Sequence, residues 1–566
     1  MSYTWKLPEK NNIDFSKNFP ELDQTVAQLL FNRGLTSQAQ VDEFLQPDYS
    51  QDIHDPYLFK DMEKACNRVY QAVDKNELIT IYGDYDADGV CSSVILKTAL
   101  EIIGAKVEVY LPHREKEGYG LNARAIEELA ENNTKLIITC DCGISNALEV
   151  DIANKKAMDV IVTDHHAIPE NLPKAKAIIH PQVEGEKYPF KFLAGGGVAF
   201  KFSQALIINL KNKQSDNEKE LHEKWLLDLV AVSTVADMVP LLGENRTLLK
   251  YGLKVLKKNR RLGMKKLIEV ANLDVEKLDA RTIAFSIAPR INAAGRMDHA
   301  NLAYYLMIEK DQDNATQLAR DLNSSNIERQ KLTEQIIKSA RTKEINEDDY
   351  LYTFFDKDWS VGLTGLVAGR LVREFAKPAI VMTEVDGKII GSGRSVKGFN
   401  ISKALKELES FLERYGGHPQ AAGFAMDKKN LDEFCKGLKK IAARDLAGQD
   451  LKPELEIELV IDFEDINWSI VDMLDKFDPY GQANPEPVFM SKEVKVTGVR
   501  KVGNDNRHLK LELAKGNKTK GAIAFGLGDR EIEIGDMVDI VYNLNINQWN
   551  GNREIQLNIL DIHPVK

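Results

Sequence analysis

The sequence predicts an α/β fold: a parallel-sheet domain, a smaller α/β domain joined to it by a long helix, and a C-terminal β-barrel. Three observations carry this expectation. Short β-rich apolar runs alternate with helical stretches between residues 77 and 163, the pattern of a parallel sheet with helices on both faces. The same alternation restarts near Tyr350 after a helix-rich interval. From Pro453 onward come five or six short strands separated by turn residues, which suits a small antiparallel barrel.

In chain order, residues 1–72 read as a small helical cap, rich in Gln, Asn and Asp, with short apolar periodicities. The first α/β domain spans 73–245. Its strands are expected at 77–82, 106–111, 135–139 and 159–163, with helices at 90–103, 122–130 and 145–155. A helix entered through three glycines follows at 195–210. The nearly all-round apolar stretch 221–235 predicts a buried helix. Residues 246–345 are helix-rich and end in a long polar helix, 315–343, which would tie the two halves together. The second α/β domain, 346–452, is expected to run strand 351–355, helix 362–375, strands 378–385 and 388–394, and helix 401–415. The barrel takes 453–566.

Hydrophobic residues make up 43% and charged residues 28%, an ordinary soluble globular composition. The first residues lack the basic-then-apolar pattern of a secretory signal, and no apolar stretch is long enough to span a bilayer. The 5 cysteines are scattered, which argues for a reducing cytoplasm and against a disulfide framework. The net charge of −11 gives no general attraction for a phosphate backbone, but basic residues cluster. Residues 491–520 hold 9 Lys or Arg against 3 acids, and 250–266 hold 8 with no acid.

Three loops, each just after a predicted parallel strand, concentrate acids and histidines. They are Gly83-Asp84-Tyr85-Asp86-Ala87-Asp88-Gly89, Cys140-Asp141-Cys142-Gly143 and Asp164-His165-His166. In an open parallel sheet, ligands bind beyond the carboxyl ends of the strands, so these loops converge on one crevice. A fourth acid, Asp237, ends the apolar helix, where the helix dipole disfavours it, so another group must hold it there. Carboxylates bind hard divalent cations, and imidazole shifts the preference toward transition metals. Four carboxylates and two imidazoles suffice for two ions with one acid bridging, the usual device for hydrolysing phosphate esters. Each loop alone is a weak signal. The first could be an Asx-rich turn, and the second is not a zinc-type Cys-x-x-Cys. All three in this order are specific.

These residues resemble the DHH phosphoesterase superfamily, and within it the RecJ branch. The resemblance extends over most of the chain: VADMVP at 235–240, APRINAAGR at 288–296, GSGRS at 391–395, GGHPQAAGF at 416–424 and DPYGQANPEPVF at 478–489 look like further motifs of that branch and of its companion DHHA1 and OB-like domains. The resemblance implies metal ligands at Asp86, Asp88, Asp141, His165, His166 and Asp237, with Asp141 bridging and Asp84 orienting ligands by hydrogen bonding. It implies catalytic roles for Asp141, His165 and His418. It implies phosphate contacts from Arg114, Arg290, Asn292, Arg296, Arg370, Gly416, Gly417 and His418; Arg suits this because its planar fork pairs with phosphate oxygens. Sequences of the branch commonly carry Ser before the Arg at 370, where this chain has Gly369 and so lacks that hydroxyl donor for a 5′ phosphate.

By that resemblance the chain is expected to be an exonuclease. It would use two Mn²⁺ or Mg²⁺ ions, hydrolyse single-stranded DNA from 5′ to 3′ and release mononucleotides in repair and recombination. It would work in the cytoplasm as a monomer, with a single-stranded-DNA-binding protein and a helicase as partners and no membrane association. The basic barrel, with aromatics Phe525, Tyr542 and Trp549, suits single strands whose bases are free to stack. A phosphatase acting on very short RNAs or nucleotides is the competing enzymatic reading; such proteins usually consist of the DHH and DHHA1 parts alone. A decayed, non-catalytic scaffold is the third, and the presence of all six ligand candidates argues against it.

Overall fold

Residues 78–82 are Leu-Ile-Thr-Ile-Tyr, β-branched and apolar throughout, and every one is buried. Such a run belongs in a parallel sheet covered on both faces. The structure, a computed structural model, describes residues 3–7, 19–208, 216–549 and 552–565. In it Leu78–Tyr82 pairs in parallel with Lys106–Tyr110 on one side and Thr134–Cys140 on the other. Asp159–Thr163 and Ala177–Ile179 extend the sheet. Strand order reverses on either side of Leu78–Tyr82, which creates a switch-point crevice. Alternate side chains serve opposite faces. Ile137, Val160 and Val162 pack on helices Ala123–Glu131 and Ala147–Lys155. Helices Met62–Asp74, Ala87–Ile102 and Gly195–Ile208 also pack on this sheet.

The expected long helix is Gln312–Arg341, a single run of 30 residues. It packs on helices Leu262–Val270, Ala288–Met297 and Asn301–Ile308 of the helix-rich interval and on Val361–Phe375 of the second α/β domain. The second sheet has the order Leu412–His418, Ala421–Asp427, Lys388–Arg394, Ala379–Val385, Tyr352–Phe355. Only the last pair is parallel.

Contacts divide the chain into two units: residues 1–53, 238–250 and 452–566 form one, and 54–237 with 251–451 the other. In the first, five strands close a barrel: Phe489–Val502, His508–Lys515, Lys518–Ala524, Asn552–Pro564 and Met537–Trp549, with the last pairing back to the first. Helix Gln24–Asn32 contributes Leu29 and Leu30 to the barrel's core beside Leu511 and Leu557. Arg246 clips this unit together. Its guanidinium donates to the carbonyls of Phe44, Lys476, Phe477 and Asp478 at 2.7–3.0 Å.

Three sequence expectations are corrected. The stretch 221–235 is not one helix. Asp216–Lys224 ends before Trp225, and only Leu227–Ala236 is buried, because Glu220, Glu223 and Lys224 keep the first part polar. The expected helix 401–415 stops at Glu407, and Leu412–His418 becomes a strand. Its pairing with Ala421–Asp427 supplies hydrogen bonds that local helix propensity could not reveal. The barrel is not purely antiparallel: Lys518–Ala524 pairs in parallel with Asn552–Pro564. Ahead of the barrel strands lie Glu454–Glu456, paired with Thr4–Lys6, and the short strand Leu459–Val460.

Candidate metal centre

The first loop reaches the crevice as the N-terminus of helix Ala87–Ile102. Asp86 is its N-cap and accepts from the N–H groups of Asp88 and Gly89 at 2.9 and 3.1 Å. The turn is tight: a Cβ at Gly89 would lie 2.6 Å from the Asp84 backbone. Asp88 is held by a second helix start. Its Oδ2 accepts from Gly195 N, and its Oδ1 from Gly196 N and Ser233 Oγ, at 2.8, 2.8 and 2.6 Å. Gly195 and Gly196 are needed for this approach: a Cβ at Gly195 would sit 2.7 Å from the Asp141 Cβ, and one at Gly196 2.6 Å from the Ser233 Cβ.

Asp141 follows the strand Thr134–Cys140 with φ 61°, in the left-handed region. Its Oδ1 lies 3.0 Å from His165 Nε2. The same nitrogen is 3.6 Å from Asp237 Oδ2 and 3.8 Å from Asp88 Oδ2. This answers what holds an acid at the tail of Leu227–Ala236: Asp237 turns into the imidazole and the carboxylates. Three sets of ligand atoms lie within 4.8 Å of one another: Asp141 with His165 and His166, Asp88 with His165 and Asp237, and Asp84 with Asp86 and Asp141. Asp141 and His165 each belong to two sets.

Burial, and then the neighbouring carboxylates, hold Asp84 and Asp141 well above the usual carboxylate range. The same causes raise Asp86 and push Asp237 up to about 8. Asp84 Oδ1 is buried with no hydrogen-bond partner. Like charges packed this way must take up protons or share cations. The oxygen-rich donor set with one imidazole nitrogen at its centre fits divalent ions.

His166 is held differently. Its Nδ1 lies 2.8 Å from Asp164 Oδ1 and 2.9 Å from the Tyr119 hydroxyl. Burial lowers the basicity of His166, but the hydrogen bond and charge of Asp164 outweigh it and raise its pKa to about 9. Burial opposes the Asp164 carboxylate, yet His166, His165 and the Ile144 N–H bring it down to about 2.

Arginines gather beside the acids. The Arg114 guanidinium stands 4.7 Å from the Tyr85 ring centre. Burial lowers Arg296 to about 9, and the charges of Arg114, Arg329 and Arg394 add to the effect. Cations that depress one another in this way favour a bound anion.

The family model described as DHH family, N-terminal domain, matches residues 78–234; the DHHA1 domain matches 347–444, and the RecJ OB domain matches 457–561. The single-stranded-DNA-specific exonuclease RecJ of Bacillus subtilis (strain 168) is 35% identical over 565 residues, covering 98% of this chain and 70% of the relative. The protein of that name from Escherichia coli (strain K12) is 32% identical, over 89% of this chain and 90% of its own. The chain belongs to the RecJ family. The crystal structure of RecJ in complex with Mn²⁺ from Thermus thermophilus superposes with a TM-score of 0.85 at 28% identity, over 99% of this chain and 80% of that one.

The RecJ-family motifs are not all brought to one place. Asp84, Asp86, Asp88, Asp141, His165, His166 and Asp237 converge. Asn292 Oδ1 accepts from Ala87 N at 2.8 Å, so it braces the first loop from behind. Arg290 is held by Asn323 Oδ1 and Ser286 O, and Arg296 donates to Gly362 O. Arg370 forms an exposed ion pair with Glu334 at 2.8 Å. Gly416, Gly417 and His418 lie on an exposed edge strand, and His418 joins none of the three sets. Arg394 also belongs beside these arginines, although in the sequence only its motif GSGRS stands out. A Cβ at Gly365 would meet the Arg394 guanidinium at 2.9 Å, and one at Gly369 its Cγ at 3.9 Å. Ser233, Tyr119 and His180, whose Nε2 lies 2.9 Å from the His166 carbonyl, join the site only in the folded structure. Tyr119 stands between two glycines, Gly118 and Gly120, but nothing local marks Ser233 or His180. In the barrel, Tyr542 is buried against Ser491 Oγ, so it offers no stacking face. Phe525 is 61% exposed and meets the His508 ring edge-on. The Trp549 side chain lies outside the described residues.

Proposed function

We propose that this chain hydrolyses phosphodiester bonds of single-stranded DNA with two divalent ions, Mn²⁺ or Mg²⁺, removing mononucleotides from the 5′ end. The observation that carries the reading is the convergence of Asp86, Asp88, Asp141, His165 and Asp237 in overlapping sets, linked through Asp141 and His165, whose ligand atoms lie within 4.8 Å inside each set. The RecJ relatives named for this activity, and the Mn²⁺- and Mg²⁺-bound Thermus thermophilus structures, support it. Asp86, Asp88, Asp141, His165, His166 and Asp237 would hold the ions, and Asp141, which belongs to two of the sets, would be the ligand they share. When bound, such a pair lowers the pKa of a water and neutralises charge on the phosphoryl oxygens.

The chain's own groups do the rest. Ser233 and the N–H groups of Gly195 and Gly196 aim the Asp88 carboxylate. His165 presents Nε2 to three carboxylates at once. Arg114, Arg296 and Arg394 offer donors to the phosphate of the terminal nucleotide. In this reading residues 73–245 carry the chemistry, 346–452 supply Arg394 and cover the substrate, and 453–566 hold the strand. The 5 cysteines are free, and 4 are buried, which suits work in the cytoplasm. Among the described residues no helix is long and apolar enough to cross a membrane.

The test is a single strand labelled at the 5′ or the 3′ end, digested with Mn²⁺ or Mg²⁺. Early release of the 5′ label as a mononucleotide is expected. Early release of the 3′ label would reverse the polarity, and activity that survives chelation would remove the metal from the mechanism.

A further inference from the structure

The loop before helix Ala123–Glu131 carries a tyrosine between two glycines. Gly118 and Gly120 have φ of 82° and 81°, a conformation that glycine adopts without strain. The far side of the loop is pinned to Asn146. Its Oδ1 accepts from Leu121 N at 3.2 Å and its Nδ2 donates to Leu121 O at 3.1 Å. The Gly120 carbonyl accepts from the Tyr82 hydroxyl at 3.1 Å. So fixed, the loop delivers the Tyr119 hydroxyl to two atoms of the metal centre. It donates to the main-chain oxygen of Asp141 at 3.1 Å, and it lies 2.9 Å from His166 Nδ1. With its proton spent on Asp141, the oxygen accepts from the imidazole, whose Nδ1–H it shares with Asp164.

Asp141 needs such a partner. It sits at φ 61°, where a side chain is uncommon, and its carboxylate belongs to two of the three ligand sets. A residue in that region persists only where its surroundings over-determine it. The N–H of Asp141 donates to Thr163 O at 3.1 Å, and the Tyr119 hydroxyl holds the opposite side of the residue. Tyr119 itself is 44% exposed, so its ring adds little to the core.

We propose that Tyr119 is a positioning residue: its hydroxyl locks the backbone of Asp141 and the ring of His166, and so presets the Asp141 carboxylate for cations. The inference rests on the reading of this cluster as a divalent-metal centre. Outer partners of metal ligands typically govern affinity by 10–100-fold. The test is Tyr119→Phe in the full chain, which removes one oxygen. Mn²⁺ binding is measured by calorimetry, alongside the melting temperature in chelator and the nuclease rate as a function of Mn²⁺.

The expected result is Mn²⁺ binding weaker by roughly 10-fold or more, an unchanged metal-free melting temperature, and a rate that recovers at saturating Mn²⁺. Wild-type Mn²⁺ affinity in the variant would overturn the inference. So would a rate loss that saturating Mn²⁺ leaves in place, or a lowered metal-free melting temperature, which would make the residue merely structural. Failure of the unaltered chain to bind Mn²⁺ would instead bring down the metal-centre reading itself.

Discussion

At the scale of single residues, Asp141 is where function and stability conflict. Burial and four neighbouring carboxylates push its pKa up on folding. A carboxyl raised by folding destabilises the folded state above its unfolded pKa, because the native state holds protons that the unfolded state releases. Asp141→Asn keeps a side chain that tolerates φ 61° and removes the charge. In chelator at neutral pH this variant should be more stable than wild type, on the order of 1 kcal/mol. The gain should shrink as pH falls toward the unfolded carboxylate value near 4. Thermal melts at several pH values check it, and an equal or lower melting temperature at pH 7 would refute the repulsion argument. With Mn²⁺ present, its nuclease rate should fall below about 1% of wild type if Asp141 is the shared ligand proposed above. Ser233→Ala tests the layer behind. Loss of the 2.6 Å bond to Asp88 should lower activity or Mn²⁺ affinity about 10–100-fold, and wild-type values for both would mean that the glycine N–H groups hold Asp88 unaided. The convergence of Asp141 and Asp88 was legible from their loops. Ser233 was not, because nothing near it in the chain distinguishes it from any serine in an apolar helix.

At the scale of elements, the barrel shows how pattern and partner divide the work. Strand alternation was readable because its period of two is local. Closure depends on the parallel pairing of Lys518–Ala524 with Asn552–Pro564, which joins residues that no turn connects directly. Truncation after residue 452 would strip the partner core from Leu29 and Leu30, so point substitutions are the cleaner test of strand binding. Arg500 and Lys510 are exposed and directly opposed across two strands. Like charges so placed repel unless a polyanion covers them. Arg500→Ala with Lys510→Ala should weaken binding of single-stranded DNA. It should reduce the slope of log affinity against log salt by about 0.7 for each phosphate that is no longer neutralised. An unchanged slope would move the strand to another face of the barrel. Binding of Mn²⁺ should be unaffected.

At the scale of the whole molecule, a net charge of −11 leaves DNA to be drawn in by local basic surface alone. Exposed aromatic faces such as Phe525 favour unpaired bases, and the arginines beside the acids suit one backbone at a time. A single strand should therefore be degraded much faster than the same strand annealed into a blunt duplex at equal salt. Comparable rates would favour a general phosphodiesterase. The amino-acid sequence by itself determined the three architectures, the loops that carry the chemistry and the acids and histidines within them. These follow from periodicities of two and of about four, and from Gly and Asp at strand ends, all of which act between near neighbours. Only the tertiary structure decided how those groups are used. It gives Asp164 to His166, turns His165 Nε2 toward three carboxylates, spends Arg370 on Glu334 and brings Arg394 beside Arg296. Each of these contacts joins atoms whose meeting depends on how the chain packs, and packing between distant segments leaves no mark in the spacing of either one.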